Sequence, residues 1–147
     1  MQLMKKFLSL SLVDLALFLE TCLYLTFASF VKTFLPFRWY AFLLGRQTEP
    51  DLNAMNSSWE KEFLLPYQRA ILRGSKYLPF ECKCLVQAIA GRMLLFFRGY
   101  DCRLYLGVFK KDDQLKAHAW LNCDGDVLVG RGGVQVCKVI SMFDSTR

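Results

Sequence analysis

The stretch at residues 79–109, PFECKCLVQAIAGRMLLFFRGYDCRLYLGVF, changes its hydrophobic period in the middle, and that change decides the fold. Through Phe97, apolar residues recur at threes and fours. Leu85, Ile89, Met93 and Phe96 form one stripe, and Val86, Ala90, Leu94 and Phe97 form a second beside it. This is helical spacing, and Gly99 is the residue type that closes a helix. From Cys102 the period drops to two, so residues 102–109 read as a strand. A helix that begins near Cys84 therefore feeds into a sheet.

Downstream, residues 110–116 are charged and read as a turn, and residues 117–123, AHAWLNC, as a second strand. Asp124-Gly125 is a strong two-residue hairpin signal, returning through residues 126–129. Residues 134–143, VQVCKVISMF, supply a last strand. Helices, then a cysteine-bearing helix, then an antiparallel meander make an α+β protein.

Upstream, residues 1–46 form a hydrophobic helical arm. A basic start followed by an apolar run raises a signal peptide and a membrane span. Asp14 and Glu20 divide that run, and its longest uncharged part, residues 21–31, falls short of the ~18 residues a span suggests. Leu8, Leu12, Leu15, Leu19, Leu23 and Phe27 recur as one helical stripe, and a second segment, residues 34–45, carries Pro36 near its start and Gly45 at its end. These are core or docking helices, with a peripheral membrane or partner contact through residues 7–45 as the other use. Residues 47–58 are polar and read as a linker, so the core is expected at residues 59–147. A third helix is expected to start at Ser57 or Ser58, with Glu60 and Glu62 in its first turn and a kink at Pro66.

At 147 residues and 54% hydrophobic, the chain is apolar enough to exclude disorder and suits a single compact unit. Lys and Arg outnumber Asp and Glu by 19 to 13, a net charge of +6. The basic residues are scattered as pairs such as Lys5-Lys6 and Lys110-Lys111, which argues against a nucleic-acid partner. Of six cysteines, Cys22, Cys102 and Cys137 sit in apolar runs and read as reduced, buried thiols, consistent with a reducing cytosol. One histidine and one Cys-x-Cys pair do not make a zinc site, and no cofactor is expected.

Two residues carry chemistry. Cys84 lies at a helix start, where unpaired backbone N–H groups and the positive end of the dipole favour a thiolate. His118 is the sole histidine, so any imidazole base must be this residue. A helix-borne cysteine with a strand-borne histidine suits a thiol hydrolase. The pattern equally admits an inert buried cysteine and a structural histidine.

Residues 83–133 resemble the transglutaminase-like leader peptidases of lasso-peptide biosynthesis, in their stand-alone protease form. The matching positions are Cys84-Leu85, Ala88, Ala90, Arg98-Gly99, Leu104, Gly107-Val108 and Ala117 to Trp120, and LPFRWYAFLLG (residues 35–45) is similar to that family's N-terminal region. The resemblance implies a transglutaminase/papain-like core and a cytoplasmic cysteine protease, with the arm giving scope for membrane association. It implies Cys84 as nucleophile and His118 as base, and as partners a precursor leader peptide, a separate small leader-recognition protein and an ATP-dependent lasso cyclase. Members with a full triad carry an Asp about a dozen residues after the histidine, and here Gly130 stands there, followed by Arg131. Counting outward from the Asp124-Gly125 turn sets His118 opposite Arg131 and leaves Asp126 roughly 15 Å along the ladder. A Cys-His dyad, or an orienter such as Asp144 or Gln87, is the expectation, subject to a bulge in the hairpin. The Cys84 backbone N–H is the natural first oxyanion donor; Leu78 occupies the place of the papain-like glutamine, so no side-chain donor is assigned. Trp120 either shields the ion pair or belongs to the core, and Cys82 is structural. The other readings are acyl transfer to an amine, and a non-catalytic accessory protein docking through its arm.

Overall fold

In the computed structural model, which describes residues 11–49, 62–123, 125–133 and 137–144, helix α1 (Leu12–Phe34) opens at Ser11, whose hydroxyl accepts from the Asp14 N–H at 3.1 Å. The side chains that α1 buries are Thr21, Leu25, Ala28 and Val31, whereas Leu12, Leu19, Leu23 and Phe27 are exposed. The leucine stripe conspicuous in the sequence is thus the outward one. A helix apolar on most sides carries no unique inward period, and small residues decide which face can dock closely. Gly74 on the neighbouring helix is such a residue, since a Cβ there would lie 2.6 Å from Leu25 Cδ1. By length and composition α1 could cross a membrane, although it carries Asp14, Glu20 and Lys32. Glu20 is committed to the protein: its carboxylate accepts from Arg98 at 2.6 and 2.9 Å.

The chain breaks at Leu35-Pro36, makes a short helix α2 (Phe37–Tyr40) and a 3-10 turn (Ala41–Leu44), and is turned by Gly45 at φ +103°. It then enters strand β1 (Arg46–Thr48), so Gln47 and Thr48, the first residues of the expected linker, are sheet. The expected helix start at Ser57 or Ser58 lies outside the described residues. A 3-10 turn (Glu62–Leu64) leads into helix α3 (Leu65–Tyr77), and Pro66 sits in the first turn of α3, where a missing N–H costs nothing. It initiates the helix and makes no kink. Helix α4 (Cys84–Phe96) ends with the Tyr100 N–H reaching the Leu95 carbonyl and Gly99 at φ +85°, as its sequence signals require.

Four further strands follow: β2 (Cys102–Lys111), β3 (Gln114–Cys123), β4 (Asp126–Val129) and β5 (Lys138–Asp144). The antiparallel sheet has the order β1-β5-β2-β3-β4. The last strand therefore returns to lie between β1 and β2, and does not extend the meander; residues 134–136, expected to begin it, lie outside the described residues. The charged stretch at residues 110–116 is mostly strand, turned by Asp112 and Asp113 at φ +52° and +59°. Both signs of φ match the tight turn favoured in hairpins, and Asp tolerates this region better than most residues. The tip projects into water, so its strand residues carry no apolar alternation.

Alternation along the strands divides the apolar residues between two faces. Leu104, Ala119, Leu121 and Phe143 join α1, α3 and α4 in the main core. Tyr105, Trp120 and Met142 form a second cluster with Val127, Cys137 and Val139. The α+β class and the packing of the cysteine-bearing helix on an antiparallel sheet hold. The reading of Cys102 as a reduced thiol does not: Cys102 and Cys123 are directly opposed on β2 and β3 and form a disulfide. Apolar surroundings hold an oxidised pair as well as a thiol, and only the strand register shows that the two meet.

Candidate active site

Cys84 is the first residue of α4 and a half-buried free thiol. Lys83 precedes it as the N-cap residue without a side-chain capping bond, so no cap covers the N–H groups of the first turn. The Gln87 side chain donates to the Cys82 carbonyl at 2.8 Å and fastens the approach to this helix end.

His118 lies on β3 opposite Gly107 of β2. Its ring stacks on Trp120 with centroids 6.1 Å apart, and Trp120 in turn stacks on Tyr105 at 5.5 Å. Trp120 is fully buried, so it serves the core and props the imidazole together. The ring Nε2 donates to the backbone carbonyl of Gly130 at 2.7 Å. A carbonyl can only accept, so in the neutral ring the proton sits on Nε2 and Nδ1 carries the lone pair, which no hydrogen bond occupies among the described residues.

The position of that carbonyl follows from a bulge. Cys123 pairs with Asp126 as the Asp124-Gly125 turn predicts, but the register slips between Leu121 and Asn122, and Leu121 faces Val129. The count that placed Arg131 opposite His118 is therefore off by one. Gly130 leaves the strand at φ +82°, and a Cβ on it would run into the Ala119 carbonyl and lie 2.8 Å from Trp120 Cβ. An aspartate cannot occupy this backbone position as it stands. Asp144, the other candidate orienter, pairs with Arg103 at 3.7 Å, and Asp126, set aside by the count from the turn, pairs with Arg131 at 3.3 Å. The sequence offered no signal for the Gly130 carbonyl, because every residue has one; the glycine itself, following a strand, was the only hint.

Around Gly107, the residue opposite His118, the packing is close. Cys137 packs beside Gly107, where a Cβ would sit 2.9 Å from both Cys137 Cβ and the Trp120 ring, so only glycine lets these side chains close in opposite His118. Burial pushes the Cys137 thiol above its usual range, and Cys84 adds to the rise. Among the described residues no hydrogen bond joins the Cys84 sulfur to the His118 ring. No group of three His, Cys, Asp or Glu side chains converges among the described residues as a metal site would need.

A thiol at an uncapped helix start, and an imidazole with one nitrogen fixed and the other available, are the parts of a thiol enzyme. A family model described as the Transglutaminase-like superfamily matches residues 31–142, from within α1 into β5, and the chain belongs to that superfamily. It is a superfamily of cysteine enzymes that includes proteases and acyltransferases. No curated protein and no solved structure matches the chain.

Proposed function

We propose that this protein is a cysteine peptidase that removes the leader from a lasso-peptide precursor, with Cys84 as nucleophile and His118 as general base and acid. The observation that carries the catalytic part is the bond from His118 Nε2 to the Gly130 carbonyl, which directs Nδ1 to the proton transfer. Nδ1 takes the thiol proton, and the sulfur attacks the scissile carbonyl. The Cys84 N–H receives the developing oxyanion, and His118 returns the proton to the departing amine. Water then hydrolyses the thioester to leader acid and free thiol.

The peptide class rests on the Cys84-Leu85 and Ala117 to Trp120 motifs within their spaced context. The same reading assigns leader capture to a separate small protein, ring closure to an ATP-dependent cyclase, and peripheral membrane contact to the exposed stripe of α1, where Leu19, Leu23, Phe27 and Phe30 stand in solvent.

The test is cleavage of a precursor by the purified protein with its recognition partner. Cys84→Ala and His118→Ala should each lower the rate at least about a thousandfold with the circular dichroism spectrum unchanged. A folded alanine variant that still cleaves would reject the assignment. Mass spectrometry should show free leader acid; a new amide would instead indicate acyl transfer. An iodoacetamide rate at Cys84 that ignores His118 would favour a non-catalytic accessory role.

A further inference from the structure

Helix α4 carries a second charged group that the chemistry at its first turn does not use. Arg92 lies eight residues beyond Cys84, roughly 12 Å along the axis, and is 5% exposed. Its guanidinium donates to the backbone carbonyls of Phe143 and Asp144 at 3.3 and 3.4 Å. Among the described residues no carboxylate lies within ion-pair distance of it; the Asp144 carboxylate pairs with Arg103 instead. Gly45, at φ +103°, brings its backbone against this group, and a Cβ there would overlap the Arg92 terminal nitrogen. Burial pulls the Arg92 pKa down to about 10, and the Asp144 carboxylate, beyond ion-pair distance, opposes the fall only in part. A charge taken out of water at this cost ordinarily has an opposite charge beside it.

A carboxylate in direct contact with Arg92 has a place to sit. Arg92 lines a cavity of about 350 Å³ together with Arg46, with Asp144, whose carboxylate pairs with Arg103, and with Phe42, Phe96 and Phe97, of which Phe42 and Phe97 are largely exposed and Phe96 partly so. That size is within the range of small-ligand sites, which combine apolar walls with a few placed polar groups. We propose that this cavity is a binding site for an apolar carboxylate. The carboxylate meets the unused N–H groups of Arg92, and the hydrocarbon lies against Phe42, Phe96 and Phe97. A free medium-chain fatty acid and the carboxyl end of an apolar peptide share this chemistry.

Calorimetric titration of the full chain separates these sources. The probes are decanoate and acetyl-Leu-Phe with a free carboxylate, each against its neutral amide. At least one acid should bind about tenfold or more tighter than its amide, the value of a charge-assisted pair. Binding of decanoate alone identifies a free acid, and binding of the peptide alone identifies a chain end; either supports the site. Phe42→Ala and Phe97→Ala, at exposed positions, should weaken binding several-fold with the circular dichroism spectrum unchanged. Arg92→Lys, which keeps the charge and loses the fork, should weaken it as well. Cys84→Ala should bind as the parent does, which keeps this result separate from that of the proposed peptidase activity. No binding of either acid at millimolar concentration, equal binding of acid and amide, or binding indifferent to the two phenylalanines would overturn the proposal.

Discussion

At the residue scale, the imidazole is oriented by a group that has no side chain. A carboxylate in that role both holds the ring and stabilises its cation, whereas a carbonyl holds the tautomer with only a dipole. Gly130 meets that need because its left-handed φ turns the carbonyl toward His118 and its missing Cβ avoids Ala119 and Trp120. Gly130→Ala should therefore lower stability by on the order of 1–3 kcal/mol and slow cleavage at the same time, read from urea midpoints and single-turnover rates. Gly130→Asp should not improve on the parent, since the added carbons meet backbone before the carboxylate could reach the ring. A faster Gly130→Asp enzyme would show that the loop can rearrange to seat an acid. The elements that carry the two candidate residues were legible beforehand: Cys84 stands where a helical period begins and His118 where a strand period runs, and the structure places them at the start of α4 and on β3. The Gly130 carbonyl that holds the His118 ring was not, because a backbone acceptor leaves no trace in residue identity and a one-residue bulge defeats counting from the turn.

At the element scale, the β2–β3 hairpin is longer and more firmly closed than its pattern suggested. Its tip strands are charged on both faces and hide their period, and its base is tied by Cys102 and Cys123, each about 1% exposed. The bond closes a loop of 21 residues, for which the chain-entropy relation gives roughly 3 kcal/mol. Urea unfolding in the presence of reductant should therefore fall short of that without it by about this amount. Thiol titration of the unreduced, denatured protein should count four groups, namely Cys22, Cys82, Cys84 and Cys137. Six would remove the disulfide. Burial also means that reductant should react slowly with the native protein and quickly once urea exposes the bond. Such shielding, and not the redox compartment alone, sets how long the bond persists. The residues inside the hairpin's apolar runs said that these sulfurs are buried, but whether they meet depends on a pairing that only the three-dimensional register supplies.

At the scale of the whole molecule, the helical arm and the sheet share one core. Leu25, Ala28 and Val31 of α1 lie in the same cluster as Ile71 of α3, Ile89 of α4 and Leu121 of β3. The sequence marked the arm as apolar and helical but left its inward side open, since leucine and phenylalanine recur around nearly the whole circumference. Two neighbouring leucines test the orientation directly. Leu25 is 0% exposed and backs onto Gly74, whereas Leu23 is 72% exposed. Leu25→Ala should cost about 2–5 kcal/mol, because a cavity opens at a contact that the glycine has made too close to refill. Leu23→Ala should change stability by no more than about 0.5 kcal/mol. Both follow from denaturant unfolding of the full chain monitored by circular dichroism. If the two substitutions cost the same, or Leu23 costs more, α1 is docked by the stripe that the sequence made conspicuous, and the outward surface assigned to membrane contact would be the core instead.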